Sequence, residues 1–333
     1  MKKIEFIFFV FILCATGTHA ATVTESGGGA DYSAAAFNAL SGDKSGTTYY
    51  FSGSFTTRIT PHVYGSSSGE CVLDGLQSGD AVHAWGTPDT NSALLTHGMQ
   101  LQGVQPYLVV QDFRMTHSSS SSSIYSVGVD GPPYYLPFDQ DHQIFQRNYL
   151  YNAPGGNATF RGDYIIIRDN IFYNLCVEVD ASENVNLIKM DNFLFARNII
   201  GYDGTTTTYD TSTNLMATHG SHYGIIENNY IFGELTHSYP SGGIAVKEDA
   251  NTGATPQTNI IFRFNKFESV KDGGIALYGG NDAINDMYVQ ANRFTGGNVG
   301  ASSAGPNENN YFLSNIFENH RGYALVTWSP DGN

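Results

Sequence analysis

The densest group of chemically capable side chains lies between residues 217 and 250: His219, His222, His237, Lys247, Glu248 and Asp249. Imidazoles beside an amine suit proton abstraction, because a neighbouring positive charge and partial removal from water both push Lys toward its neutral, basic form. His219 and His222 stand three apart, a spacing that serves a metal on a helix face, and no Cys or carboxylate motif completes a zinc set. Glu248 and Asp249 are adjacent and point to opposite faces of any strand, so they are not the facing carboxylates of a glycosidase. Asp203, Asp210 and Asp272 could join such a pair only through loops. Which of these groups meet depends on the elements that carry them.

Those elements repeat. Short apolar-alternating runs beginning at Gln143, Ile165, Phe193, Ile225, Ile261, Tyr288 and Phe312 each reach an Asn, namely Asn148, Asn170, Asn198, Asn229, Asn265, Asn292 and Asn315. The separations are 22, 28, 31, 36, 27 and 23 residues, with Leu108 to Asp112 as a degenerate earlier copy. Propeller blades and leucine-rich repeats hold tighter periods, whereas stacked β-coils tolerate insertions at their corners. The chain therefore reads as all-β, a single-stranded right-handed parallel β-helix. At a bend between strands Asn tolerates a left-handed backbone, and its amide can bond to the coils above and below. The seven Asn are thus assigned to a turn ladder and not to chemistry.

A second strand per coil aligns Lys189, Thr218, Lys247, Tyr278 and Thr327 as one outward row. On that alignment His219 lies one coil from Lys247, about 5 Å away. The stretch from Asp31 to Leu40 is amphipathic and predicts a short N-terminal helix capping the first coil. Domain limits follow: residues 1–20 a signal peptide, 21–60 the cap and first coil, 61–333 the β-helix. The chain stops soon after a strand without an evident cap, so a C-terminally incomplete helix, or an end covered by assembly, is expected.

The run from Gly243 to Lys247, the Asn repeat from Asn259 to Phe267, and the run from Gly273 to Gly280 resemble the alginate lyase and chondroitinase B group of polysaccharide lyases. That group sits within the pectate-lyase-like β-helix superfamily. The resemblance implies Lys247 as base, with an Arg on the later run assisting beside a calcium ion that neutralises the substrate carboxylate. Tyr278 stands at the Arg position, and Pro240 and Gly242 occupy the spacing of the acidic calcium ligands. β-Elimination of a uronate-containing glycan would then use Lys247 as base, Tyr278 as acid, and Lys189 or His219 against the carboxylate. Lys189, His222 and His237 would bind substrate, and Tyr134 and Tyr135, in a Pro-rich loop, could wall it by stacking. No cofactor is fixed by the sequence; calcium held by Asp and Asn at loop ends stays open.

Composition sets the partners. The net charge is -15, only 14% of residues are charged, and two of the sixteen Lys and Arg are Lys2 and Lys3 at the N-terminus. Such a chain lacks the basic surface that nucleic acid demands. Aromatics are abundant, which suits polysaccharide. Lys2 and Lys3, the apolar run from Phe6 to Cys14, and the small-residue site ending at Ala20 form an export signal, too short to span a membrane. A secreted, extracellular or periplasmic protein without a membrane span is expected. Cys71 and Cys176 could pair or be buried as small hydrophobes, and burial is the expectation taken. The six serines from Ser118 to Ser123 read as an exposed tip. Two other functional classes stay open: a non-catalytic adhesin, glycan-binding or structural surface protein, and a glycoside hydrolase.

Overall fold

The computed structural model describes residues 19–75, 92–101, 103–117, 124–127, 140–153, 157–175, 183–202, 214–233, 242–247, 256–271, 273–278, 284–305 and 308–328. Within them the strands form three long sheets, one of twelve strands and two of ten, in which every pairing is parallel. One coil shows the plan. Strand Ile166–Arg168 belongs to sheet 1, Ile171–Leu175 to sheet 2 and Val185–Asp191 to sheet 3, and the next coil stacks on all three. This is the expected parallel β-helix.

Alternation places the middle residue of each sheet 1 strand inside. Val110, Phe145, Ile167, Phe195, Ile226, Phe262 and Val289 stack in register and are at most 2% exposed. Each such side chain contributes about 1.5–3 kcal/mol by leaving water. In sheet 2, Phe267, Phe294 and Phe317 stack face to face at 4.8 and 4.9 Å. Gly274 makes room for them: a Cβ there would lie 2.3 Å from the Phe294 ring. Cys71 is buried and free, and burial pushes its thiol up to about 12; Cys176 lies outside the described residues.

The corner between sheets 1 and 2 is two residues long on seven successive coils and carries the Asn ladder. Each Asn Oδ1 accepts from the backbone N–H and the Nδ2 of the Asn one coil earlier. Asn170 thus donates both bonds to Asn198 at 3.0 Å, and Asn198 donates both to Asn229 at 2.8 and 3.2 Å. The second Nδ2 proton goes to a carbonyl of the preceding coil, as from Asn198 to Ile167. The left-handed residue, however, is the one before the Asn: Arg147, Asp169, Arg197, Asn228, Phe264, Ala291 and Ser314 have φ of 53 to 59°. Asn is needed for its amide and not for its backbone. Asp112 likewise occupies the left-handed position, so the earlier copy places Phe113, not an Asn, at the ladder site, where its N–H donates to Asn148 Oδ1 at 3.1 Å.

Left-handed neighbours alternate in charge across this corner. Arg147 forks onto Asp112 at 2.9 and 2.6 Å, and Arg197 onto Asp169 at 2.7 Å twice. The Asp112 side chain is 1% exposed, whereas Arg197 is 46% exposed. Replacing Arg147 by Met removes the forked partner of a buried carboxylate and is expected to cost about 3 kcal/mol. The same change at Arg197 should cost under about 1 kcal/mol. Denaturant unfolding of both variants checks the contrast; equal losses would contradict it.

At the N-terminal end, helix Ala34–Asn38 follows Ser33, whose hydroxyl accepts from Ala36 N–H at 3.2 Å. Phe37 packs edge-on against Tyr49 and Phe51 at 5.1 and 5.0 Å. Strands Tyr32–Ser33 and His19–Thr24 end sheet 1 on that side. Among the described residues no helix is long and apolar enough to cross a membrane.

Candidate functional site

Sheet 3 is where the coils vary. Its strands are reached from sheet 2 by connections such as that between Gly201 and Asn214, and left by others such as that between Lys247 and Ile261. Variable connections over a rigid scaffold are where binding chemistry concentrates.

Two rows flank the end of this sheet. In the first, Ile188, His219, Lys247 and Tyr278 are in register on successive coils. His219, Lys247 and Tyr278 are therefore brought together as the sequence suggested. Three residues leave the expected row. Thr218 and Thr327 align with Val246, Leu277 and Ser303, and Thr218 is fully buried, so polarity was a poor guide to its side. Lys189 sits at φ 48° opposite the irregularity between Arg161 and Gly162, one residue past Ile188, because the bulge absorbs a residue before Met190 pairs with Gly162.

Lys247 Nζ donates to Glu183 Oε1 at 2.5 Å, and Glu183 is 6% exposed. The Lys247 amine can take a proton from a substrate only after this contact is released. Glu183 stands 64 residues away and carried no signal in the sequence, since it lies just outside the alternating strand. Gln257 Nε2 donates to the carbonyls of Thr218 (3.0 Å) and Lys247, tying the two strand ends together.

The second row follows the turn into sheet 1: Asp141, Asp163, Asp191 and His222 are in register, continuing through Thr258, Asn285 and Glu308. A cleft of about 540 Å³ opens here, lined by Asp141, Asp163, Asp191, Lys189 and His222 together with Val104, Gln140, Gly162 and Gly220. Burial raises the Asp191 carboxyl above the usual range, with His222 opposing. On the coils of this row the next residue along is left-handed, and Tyr107, His142 and Tyr164 (φ 52, 51 and 54°) stack at 4.6 and 4.8 Å. His142 Nδ1 lies 2.7 Å from Asp141. Tyr164 and Tyr223, on the same corner, are 38 and 60% exposed. The sequence does carry this corner as a recurrent polar residue three positions before each sheet 1 strand, such as Asp163 before Ile166 and Asp191 before Leu194.

Lys189 and His222 thus belong to the cleft, apart from Lys247. His237, Tyr134, Tyr135, Glu248, Asp249, Asp203, Asp210 and Asp272 lie outside the described residues. Among the described residues no three His, Cys, Asp or Glu side chains are arranged to hold a metal ion. Pro240 and Gly242, at the spacing of the calcium ligands in the resembled lyases, supply no side-chain oxygen.

No protein-family profile matches the chain. No curated protein matches it either. Solved structures do. The surface adhesin PfbA of Streptococcus pneumoniae superposes with a TM-score of 0.52 at 12% identity, over 84% of each chain. The alginate lyase from Paenibacillus sp. str. FPU-7 gives 0.53 at 14%, over 94% of this chain and 100% of that one. XylC in complex with xylose gives 0.51 at 9%, over 88% and 70%. What this chain shares with all three is its fold, the parallel β-helix.

Proposed function

We propose that this chain is an exported polysaccharide-binding protein whose groove runs along the sheet 3 edge, from the Tyr107–His142–Tyr164 stack to Tyr278. The observation that carries this is repetition: one register position presents Asp141, Asp163, Asp191 and His222 on consecutive coils beside stacked rings. A ligand that is itself a repeat of polar rings can meet such an edge at several points, with aromatic surface for its apolar faces and fixed acceptors for its hydroxyls. The fold relatives, a surface adhesin, an alginate lyase and a protein in complex with xylose, are in keeping with a glycan partner. Export rests on Lys2 and Lys3, the apolar run from Phe6 to Cys14 and the small-residue site ending at Ala20. We assign helix Ala34–Asn38 the role of N-terminal cap within the unit 21–60, the coils from 61 onward forming the helix proper.

The register of His219, Lys247 and Tyr278 favours one enzymatic form of this reading, β-elimination. Lys247, released from Glu183 as the neutral amine, would remove the proton beside a uronate carboxylate; Tyr278 would protonate the leaving oxygen; His219 would balance the carboxylate. Incubation with alginate, pectate, chondroitin and neutral glycans, read by absorbance of unsaturated products, by reducing ends and by affinity electrophoresis, tests both forms. Binding to at least one glycan is expected, weakened about tenfold in Tyr164→Ala. Binding to none removes the proposal. Unsaturated product undiminished in Lys247→Ala dismisses Lys247 as base, and no product from the unaltered chain dismisses elimination.

A further inference from the structure

The corner that carries the Tyr107–His142–Tyr164 stack has one position where the stack is interrupted. Backbone hydrogen bonds link its residues from coil to coil: Tyr164 N–H donates to Asp191 O at 3.0 Å, Asn192 N–H to His222 O at 3.3 Å and Tyr223 N–H to Thr258 O at 3.2 Å. Tyr164, Asn192 and Tyr223, at φ 54, 51 and 50°, therefore hold the same place on three consecutive coils. Tyr107 and Tyr164, two coils or about 9.5 Å apart along the helix, keep the imidazole of His142 between them, 4.6 Å from one ring and 4.8 Å from the other. Tyr164 and Tyr223 stand at the same two-coil interval, but the residue between them is Asn192, exposed and without a ring. One face of Tyr164 is taken by His142, and the residue is still 38% exposed. Tyr223 is 60% exposed, its ring 6.4 Å from His222 and tilted by 50°, which leaves it free to turn between rotamers. Two large rings thus stand in water on either side of a gap one ring wide.

We propose that the interval between Tyr164 and Tyr223 is a sugar slot, which takes one pyranose ring with its two faces against the two tyrosines, as His142 lies between Tyr107 and Tyr164. The slot rests on the glycan-binding reading above and names the class of sugar which that reading leaves open. Ring spacings of 4.6 and 4.8 Å exceed the contact distance of about 3.5–4.0 Å between flat carbon surfaces, and the axial hydrogens of a chair fill the difference. A pyranose whose hydroxyls are all equatorial, as in β-linked glucose or xylose, presents C–H groups on both faces and suits two aromatic walls. An axial hydroxyl, as at C2 of mannose, would be pressed into one of the rings and lose its water without gaining a partner. The exposed Asn192 amide stands at the floor, within reach of hydroxyls at the ring edge. Asp191 and His222, the residues just before Asn192 and Tyr223, line the cleft, so the slot opens beside it and equatorially linked sugars leave in the ring plane toward it.

Titration calorimetry of the full chain with cellotetraose, xylotetraose and β-1,4-mannotetraose tests the slot. The first two are expected to bind at least about tenfold tighter than the third. Asn192→Tyr puts a ring where the ligand ring would go, on a left-handed backbone that already carries Tyr one coil before and one coil after. It should continue the stack, melt no lower than the parent and bind cellotetraose at least about tenfold more weakly. Tyr223→Ala removes one wall at an exposed position and should weaken the same binding about tenfold with the melt unchanged. Parental affinity in either variant, or mannotetraose binding as tightly as cellotetraose, overturns the slot while leaving glycan binding standing. Binding of another glycan of the wider panel but of neither cellotetraose nor xylotetraose does the same. Binding of none of the three, together with none in the panel, overturns both.

Discussion

Asn198→Ala is expected to destabilise the protein by about 4 kcal/mol or more, or to prevent its folding. Asn198 is fully buried and uses all four of its side-chain hydrogen-bonding positions. Its loss leaves the backbone N–H and one Nδ2 proton of Asn170 without an acceptor and removes a donor from Ile167 O and from Asn229 Oδ1. Each buried polar group so stranded costs about 1–3 kcal/mol. Because the coils stack in one dimension, the damage should spread to adjacent coils before the ends. Hydrogen exchange should register it first at the amides of Asn170 and Asn198, alongside a lowered thermal midpoint. A variant that melts with the parent would show that the ladder adds little beyond the stacked Ile and Phe side chains.

Gly162→Ala is expected to cost about 3 kcal/mol or more and to weaken cleft binding at least about tenfold. Gly162 has φ 124°, which L side chains rarely adopt, and a Cβ there would lie 1.9 Å from the carbonyl oxygen of Gln140. Relief requires Gln140 to move. Its buried amide accepts from Gln105 N–H at 2.9 Å and from Gln143 Nε2 at 2.8 Å and donates to Gly103 O at 2.7 Å, so the whole wall would shift. Asp141 and Asp163 pair through this same strand contact and would lose their spacing. Thermal unfolding and oligosaccharide titration of the variant measure the two effects together. An unchanged melt with unchanged affinity would mean that the bulge does not set the cleft.

The coil and its Asn corner were legible in the sequence because both are local. A three-residue strand, one left-handed residue and an Asn recur within each short window, and the spacing between copies absorbs every insertion. The conformation at the corner was placed one residue too far along, on Asn198 rather than Arg197, since the amide and the backbone both make Asn a plausible occupant. Sheet 3 was legible in part. The glycine-led runs ending at Lys247 and Tyr278 align by inspection, and His219 joins them through the register. Lys189 did not, because one bulge residue shifts facing and no hydrophobic signal marks it. Thr218 was placed outside by polarity, where the neighbouring Val246 and Leu277 decide that it points in.

The sequence by itself thus determined the architecture: parallel coils, the ladder at one corner, and a second strand per coil carrying Lys247 and Tyr278. Only the tertiary structure decided which charges meet. Glu183 reaches Lys247 across two coils, and Asp141, Asp163 and Asp191 line up although 22 and 28 residues separate them along the chain. The physical reason is that a β-helix turns sequence distance into a coil spacing of about 5 Å only after every intervening insertion has been counted out. A fold built from local repeats can be read locally, whereas a site built between repeats depends on the register that stacking imposes.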